Sequence, residues 1–296
     1  MSKMVSSGKN PFPGTLQTGS GVFRTGLIGV VVALVSIGIV ACQTVKTTQP
    51  GAIGVEREQR MSTLVNEQEL RASSASQYKE ALGKEQAKGA LNSNPALTSR
   101  VRTVAKRLIP TTAAFRSDAP GWPWEINVIQ SDQLNAWCMP GGKIAFYSGL
   151  IEKLALTDDE IAAIMGHEIA HALREHARER ISEQMTSRIG IGVASVALGG
   201  GQLGADLGQM AYQMAFSLPH SRLHETEADR MGVELAARAG YDPRAAVQVW
   251  QKMAKQGGSK GPEFLSTHPS SDSRISDLEA YSARVAPLYE QAKRGR

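Results

Sequence analysis

The residues best suited to chemistry lie in one short stretch, His167-Glu168-Ile169-Ala170-His171. In an α-helix its two histidines lie about 40° apart and one turn along the axis, so both imidazoles can reach one Zn²⁺ ion. Glu168, next to the first histidine, can face a water on that metal. Since zinc lowers the pKa of such a water towards ~7 and polarises a carbonyl group, a carboxylate base can complete the attack on an amide. The stretch therefore predicts a metal-dependent peptide hydrolase.

A catalytic zinc site needs a third protein ligand. On a continuous helix His176 would lie about 180° round from His167, so we interpret His176 as a surface or packing histidine. A second predicted helix carries Glu225 and Asp229 at the same i, i+4 spacing, and both can point at the site. One carboxylate would bind the metal, and the other would accept a hydrogen bond from the far nitrogen of a zinc-binding histidine. Glu227, about 200° from Glu225, is expected to face solvent.

The elements that must position these groups have sequence signals of their own. Thr157-Asp158-Asp159-Glu160 is a capping box, and it starts a helix at about residue 158, upstream of the two histidines. Helical patterning also covers residues 61–83 and 96–109, whereas alternation predicts strands at 124–129 and near 143–147. Most of the chain after the histidine helix has helical periodicity.

The strand near 143–147 is the expected substrate-binding element. It is entered through Pro140-Gly141-Gly142, which is a turn signal. An exposed edge strand can pair with an extended polypeptide through backbone hydrogen bonds without demanding a particular sequence, which suits a protease of unfolded chains. The residues assigned to substrate binding are Asn135, Gly142, Lys143, Ile144 and Ala145. The alternative is an internal strand that has no free edge.

Composition narrows the possible functions. The chain has 296 residues, of which 42% are hydrophobic, enough for a sizeable core. Its formal net charge is +5, but the basic residues are scattered and no Lys/Arg run is interleaved with aromatic residues, so no nucleic-acid partner is predicted. Cys42 and Cys138 allow at most one disulfide. We expect Cys138 to be a packed small hydrophobic residue.

Four stretches together carry a family resemblance. They are Asn135-Ala136 with Pro140–Ile144 and Tyr147–Leu150; His167–His171; Glu225 with Ala228-Asp229-Arg230; and His268-Pro269 with Arg274. In these stretches the chain resembles the HtpX-like and Oma-type zinc metallopeptidases, peptidase family M48. It is most similar to their bacterial envelope members of the LoiP- and BepA-like type. The resemblance extends from about residue 52 to residue 290.

The resemblance implies an α+β, mainly helical, gluzincin-type zinc metallopeptidase domain with a small sheet bearing an edge strand. It implies that His167, His171 and Glu225 bind one Zn²⁺ ion, that Glu168 is the general base, and that Asp229 orients a zinc ligand. The implied function is a zinc endopeptidase that hydrolyses misfolded or unassembled cell-envelope proteins. Those polypeptides are the expected partners.

His268 has two interpretations besides that of an ordinary loop histidine. It can donate a hydrogen bond to the developing oxyanion, as a catalytic residue. It can instead bind zinc as a fourth protein ligand, which leaves no place for water and makes the site inactive. The resemblance to BepA-like proteins implies this second, latent state. We expect Arg274 to anchor the loop of His268 to a carboxylate.

The N-terminal segment is expected to be a targeting signal. Residues 1–24 carry three basic residues and no acid, and residues 25–41 are uncharged. Ile39-Val40-Ala41-Cys42 is similar to a bacterial lipobox, whose cysteine is lipidated. We therefore predict attachment to a membrane through acylated Cys42, facing the periplasm from the outer membrane; an uncleaved transmembrane anchor is the alternative. The predicted divisions are a signal peptide at 1–41, a lipid-attached tether at 42–60 and a metallopeptidase domain at 61–291.

Two functions of other classes are compatible with the same residues. One is an envelope chaperone or holdase with a latent or non-catalytic zinc site, and the other is a helical domain in which zinc is structural. The presence of Glu168 favours the enzyme, because a holdase has no use for a base beside the metal.

Overall fold

The computed structural model describes residues 42–189, 200–216, 218–256, 263–269 and 271–295. The strands are β1 (Cys42–Val45), β2 (Gln59–Ser62), β3 (Glu125–Ile129), β4 (Ala136–Met139) and β5 (Lys143–Tyr147). The helices are α1 (Glu67–Ala87), α2 (Pro95–Leu108), α3 (Ser148–Lys153), α4 (Asp158–Leu173), α5 (His176–Ile189), α6 (Gly200–Phe216), α7 (Arg222–Arg238), α8 (Ala245–Lys255), α9 (Glu263–Thr267) and α10 (Asp272–Arg294). The predicted fold, α+β and mainly helical, is confirmed. The predicted signal peptide at 1–41 lies outside the described residues.

Helices begin where the sequence supplies caps. The Thr157 hydroxyl accepts the Glu160 N–H and the Glu160 carboxylate accepts the Thr157 N–H, so α4 starts at Asp158 as predicted. Asn94 caps α2, where Pro95 takes the first helical position. The helix predicted at 61–83 starts later, at Glu67, because residues up to Ser62 pair as β2.

The larger sheet differs from the prediction in its strand order. The order is β3-β5-β4, with β5 parallel to β3 and antiparallel to β4. Because β5 lies in the middle, its backbone is paired on both sides, and the prediction that it forms an exposed edge is wrong. The edge strand next to α4 is β4, which escaped prediction because it is apolar on both faces and shows no alternation.

The two faces of this sheet pack into separate cores. Ile144 and Phe146 of β5 face the larger core with α2, α4, α7 and α8, whereas Ala145 and Tyr147 face a smaller core with α1 and α6. This division follows from the two-residue period of a strand. Cys138 of β4 is buried in the larger core and forms no disulfide, which confirms its predicted packing role.

Residues 42–60 do not form a free tether. β1 pairs antiparallel with β2, and Ile53 is buried in the larger core. The backbone N–H groups of Ala52 and Ile53 both donate to Glu234 Oε2, at 2.8 and 3.0 Å. This segment therefore belongs to the same compact unit as the rest of Cys42–Arg296. In the part of the chain described, none of the helices is both long enough and apolar enough to span a membrane.

Helices α4 and α7 cross at two glycines. A Cβ atom on Gly232 would lie 2.8 Å from the backbone nitrogen of His167, and one on Gly166 would lie 2.8 Å from the carbonyl oxygen of Gly232. Both clashes are with backbone, which cannot rotate away as a side chain can. The close approach brings His167 of α4 next to the carboxylates of α7.

We expect Gly232→Ala to lower the free energy of unfolding by about 1–3 kcal/mol, the usual cost of overpacking a dense core. Chemical denaturation measures this. The matched control is Gly83→Ala in α1, where a Cβ meets nothing within 4 Å. There alanine should stabilise the helix by up to about 1 kcal/mol. A Gly232→Ala variant as stable as the parent chain would contradict the crossing.

Candidate metal centre and active site

Three side chains from α4 and α7 converge on one point. The Nε2 atoms of His167 and His171 lie 3.1 Å apart. Glu225 Oε2 lies 3.6 Å from Nε2 of His167, and Glu225 Oε1 lies 3.4 Å from Nε2 of His171. The i, i+4 spacing orients the two imidazoles. Glu225 reaches them because Ser221 caps α7 one turn earlier, accepting the N–H of His224.

His268, directly after α9, completes the cluster. Its Nδ1 atom lies 3.0 Å from Glu225 Oε1 and 3.1 Å from His167 Nε2. One ligand atom from each of His167, His171, Glu225 and His268 lies within 4.8 Å of the other three. The structure thus places His268 beside the three predicted metal ligands.

The donor set fits a divalent metal ion. Burial lowers the pKa of His171 to about 3, so its imidazole is neutral and has a lone pair to offer. Burial opposes ionisation of Glu225, yet the imidazoles of His268 and His167 hold its pKa well below the usual range. Burial likewise opposes protonation of His167, but Glu225 and Asp229 raise its pKa. These carboxylates favour a positive charge at the point where the nitrogens meet.

Glu168 lies beside this cluster with a perturbed carboxyl group. Burial raises its pKa, against the opposing effects of His268 and His167. Its Oε1 atom lies 3.3 Å from Nε2 of His268, and neither atom makes a hydrogen bond within the described residues. A carboxylate with a raised pKa suits a base that must take a proton and release it again.

Asp229 and Arg274 hold the first histidine in place. Asp229 Oδ1 lies 2.9 Å from Nδ1 of His167. Arg274 donates to both oxygens of Asp229, at 2.7 and 2.8 Å, and its Nη1 lies 2.8 Å from Glu225 Oε2. The same guanidinium donates to the carbonyl of Pro269 at 2.7 Å. Arg274 therefore ties the segment after His268 to two carboxylates of α7.

The outer edge of β4 borders the site. Because the Tyr147 N–H donates to the Asn135 carbonyl, hydrogen-bonded pairs alternate along β4 and β5 and leave the main-chain groups of Ala136 and Cys138 pointing away from β5. The main chain of Cys138 hydrogen-bonds the Glu168 carboxylate. The side-chain oxygen of Asn135 accepts the Ala136 N–H at 2.9 Å, much as a substrate carbonyl would.

The other residues predicted to bind substrate support the sheet instead. Ile144 and Ala145 are buried in the central strand β5. Lys143 is buried as well, and its Nζ atom lies 2.6 Å from Glu125 Oε1. Gly142 has a φ of 78°, and a Cβ there would clash with the ring of Trp124. Backbone pairing by β5 is excluded by its two neighbours.

Glu227, which was expected to face solvent, lies in the interior, whereas His176, interpreted as a surface or packing histidine, is confirmed as a packing residue. His176 is fully buried, with Nδ1 2.8 Å from Nδ1 of His171, and Glu227 is 4% exposed. The sequence predicted His176 on the opposite side of a continuous helix. The helix is not continuous, because α4 ends at Leu173 and Glu175 adopts a φ of 52°, which turns the chain before α5 begins at His176. Neither Gly nor Pro marks this break, so no sequence signal reveals it.

A second cluster of His176, Glu179 and His224 also has ligand-type side chains. Here, however, Arg57 Nη1 and Nη2 bind both oxygens of Glu179, at 2.6 and 2.9 Å. Arg174 adds a second guanidinium, 3.1 Å from Glu227. Two fixed positive charges disfavour a further cation, so this cluster is an ion-pair network.

The comparison with known proteins rests on the same segments. The model of peptidase family M48 matches residues 95–282, a range that includes every residue of the candidate metal site from His167 to Arg274. The chain belongs to peptidase family M48. The resemblance inferred from the sequence is confirmed, and the protein is assigned to a family of metalloproteases. Among the described residues, the buried cluster of His167, His171, Glu225 and His268 has the side chains to hold a metal ion.

Several curated relatives are similar over part of their length. The mitochondrial metalloendopeptidase OMA1 of Arabidopsis thaliana is 35% identical over 185 residues, covering 62% of this chain and 37% of the relative. The OMA1 protein of Saccharomyces cerevisiae is 33% identical, with coverages of 58% and 51%. The beta-barrel assembly-enhancing protease of Yersinia pestis is 30% identical over 203 residues, with coverages of 66% and 40%. The chain thus spans about half or less of these relatives.

The relatives overturn one prediction. OMA1 proteins from a plant, two yeasts and cattle are mitochondrial, whereas we predicted a lipid-anchored protein at the bacterial outer membrane. We correct that prediction: matches to mitochondrial proteins of eukaryotes do not support it. Lipid attachment through Cys42 is not supported either, and in the structure Cys42 pairs with Ser62 between β1 and β2.

Proposed function

We propose that the chain is a zinc-dependent endopeptidase that hydrolyses internal peptide bonds of unfolded or unassembled proteins. The observation that carries the proposal is the convergence of His167, His171 and Glu225 on one buried point with Glu168 beside it. Three protein ligands plus a nearby carboxylate are the arrangement of a catalytic rather than a structural zinc site.

His167, His171 and Glu225 would hold one Zn²⁺ per chain, and this ion would supply the Lewis acid that activates water and polarises the scissile carbonyl. Glu168 takes a proton from the attacking water as the oxygen bonds to the carbonyl carbon. It then delivers this proton to the amide nitrogen as the C–N bond breaks, giving a carboxylic acid, which then loses its proton to solvent, and an amine. The raised pKa of Glu168 suits both transfers.

Substrate binding is assigned to the outer edge of β4. The outward carbonyl oxygens of Ala136 and Cys138 can accept hydrogen bonds from an extended polypeptide, and the Ala136 N–H can donate to its carbonyl in place of the Asn135 side chain. Backbone pairing does not require a particular side chain. This favours unfolded chains as substrates. We keep misfolded or unassembled cell-envelope proteins as the proposed class, supported by the name of the Yersinia pestis relative, a beta-barrel assembly-enhancing protease.

The position of His268 supports a latent form of the enzyme. A tetrahedral zinc with four protein ligands has no position for water. The segment that carries His268 is also tied across the site: the Phe264 N–H donates to the Leu134 carbonyl at 3.0 Å, and the His220 N–H donates to the Thr267 carbonyl at 2.8 Å. Activity then requires this segment to move, and a holdase is the alternative if it never does.

We expect His268→Ala to raise the rate of cleavage of an unfolded substrate by about tenfold or more. A tenfold increase corresponds to a latent state that is more stable than the active state by about 1.4 kcal/mol. The rate is measured on fluorescently labelled casein at saturating zinc, with zinc content determined in parallel. A loss of about 10²–10³-fold in kcat would instead identify His268 as an oxyanion donor. An unchanged rate at unchanged zinc content would exclude both roles.

Metal removal tests the proposed function as a whole. The chain is incubated with casein before chelation, after chelation, and after addition of Zn²⁺. We expect cleavage to stop and then return, while circular dichroism shows that the helices persist. A fold that is lost on chelation would identify a structural zinc. Suppression of casein aggregation by a metal-loaded chain that never cuts, even with His268→Ala, would favour the holdase.

A further inference from the structure

We propose that His176 and Glu227 are positioning residues for His171, linked to it by a chain of two hydrogen bonds. His171 Nδ1 lies 2.8 Å from His176 Nδ1, and His176 Nε2 lies 3.0 Å from Glu227 Oε2. The inference rests on the proposed zinc site, because it concerns how one ligand of that site is held. It gives a function to two side chains that the hydrolytic reaction does not use.

The directions of both hydrogen bonds follow from the ligand atom. His171 presents Nε2 to the cluster, so this nitrogen must keep its lone pair and the proton must sit on Nδ1. His171 Nδ1–H then donates to Nδ1 of His176, which makes that nitrogen an acceptor. The proton of a neutral His176 is therefore on Nε2, from which it donates to Glu227. The chain has one consistent set of tautomers, ending on a carboxylate.

Glu227 is itself fixed by two arginines. Arg57 Nε lies 2.7 Å from Glu227 Oε1, and Arg57 Nη2 lies 3.0 Å from Oε2. Arg174 Nη2 lies 3.1 Å from Oε1. These guanidiniums stabilise the ionised carboxylate, which is the better acceptor for His176. Because Arg57 precedes β2, the segment predicted as a tether contributes to this arrangement.

The two zinc-binding histidines are thus supported in parallel ways. His167 donates directly to Asp229, which Arg274 holds. His171 lies one turn further along α4, where no carboxylate among the described residues contacts its Nδ1, and His176 spans the gap to Glu227. Each histidine is thus linked, directly or through His176, to a carboxylate of α7 that is paired with arginine. Such partners fix the ring orientation and raise the basicity of a ligating histidine.

The test compares two amides that imitate different nitrogens of His176. The oxygen of His176→Asn falls near Nδ1 and can still accept from His171, whereas the amide of His176→Gln falls near Nε2 and cannot. Zinc affinity is measured by competition with a chromophoric chelator, and the visible absorption of the Co²⁺-loaded chain reports the ligand geometry. We expect His176→Ala and His176→Gln to lower zinc affinity by about 10–100-fold and to alter the Co²⁺ spectrum. His176→Asn should retain both.

The matched control is His224→Gln. His224 stacks on His176, with ring centroids 4.2 Å apart, and its Nε2 lies 3.1 Å from Glu179, but no hydrogen bond links it to His171. This variant removes a buried imidazole from the same network, so it should lower the Tm without changing the Co²⁺ spectrum. If His176→Gln matched this control in both zinc affinity and spectrum, or if His176→Asn behaved like His176→Ala, the positioning role would be overturned. Failure of the parent chain to bind zinc would instead overturn the proposed function.

Discussion

Replacing Glu168 with glutamine is expected to lower kcat/KM for peptide-bond cleavage by about 10³-fold, within the usual contribution of a general base. Glutamine has nearly the same volume and can still accept the Cys138 main-chain hydrogen bond. It cannot take a proton from water. Since the carboxyl group is buried with a raised pKa, its replacement by a neutral amide removes a desolvated acid and should leave the free energy of unfolding unchanged or slightly higher.

The measurement is initial-rate cleavage of casein by the parent chain and Glu168→Gln, each loaded with one equivalent of Zn²⁺. Equal zinc content and equal Tm in the two proteins serve as the control, because they show that only the base has been lost. Combining Glu168→Gln with His268→Ala distinguishes loss of the base from the latent state. The double variant should lack the blocking histidine and still fail to cleave casein. Equal cleavage by the parent chain and Glu168→Gln would rule out Glu168 as the base.

Glu225→Gln is expected to abolish tight metal binding. Zinc affinity should fall by more than roughly 100-fold, which is the upper end of the loss seen when a residue that only supports a metal ligand is replaced. The amide is a poor zinc ligand, and it removes the negative charge that lies between His167, His171 and Arg274. The free energy of unfolding should also fall. The loss should be smaller than the roughly 3–5 kcal/mol expected when a buried charge is left with no partner at all. The reason is that Arg274 would still be paired with a carboxylate, since its Nε lies 2.7 Å from Asp229 Oδ2.

Metal content and chemical denaturation, the latter with chelator in excess, measure the two effects separately. The control is Thr226→Ala, the next residue of α7, whose hydroxyl donates to the Arg222 carbonyl on the exposed side. It should bind zinc like the parent chain. Stoichiometric zinc in Glu225→Gln with unchanged affinity would mean that another residue is the third ligand.

Local sequence signals determined the centre of the site. The spacing of His167 and His171, and of Glu225 and Asp229, depends only on the pitch of a helix, and the capping box fixes where α4 begins. Such relations act within one or two turns of the chain. They therefore carried over to the structure, where these four side chains meet at α4 and α7.

Only the tertiary structure decided which surfaces surround that centre. Whether β5 is an edge depends on β4 pairing with it, and the strand pattern of β5 is the same in either position. His176 reaches His171 because Glu175 turns the chain without a glycine, and Glu227 is held in the interior by its ion pair with Arg57. His268 reaches His167 and Glu225 from a segment 43 residues beyond Glu225. These contacts join distant parts of the chain. They are stabilised by packing and ion pairs that form only when the whole domain is folded, so no local sequence pattern predicts them.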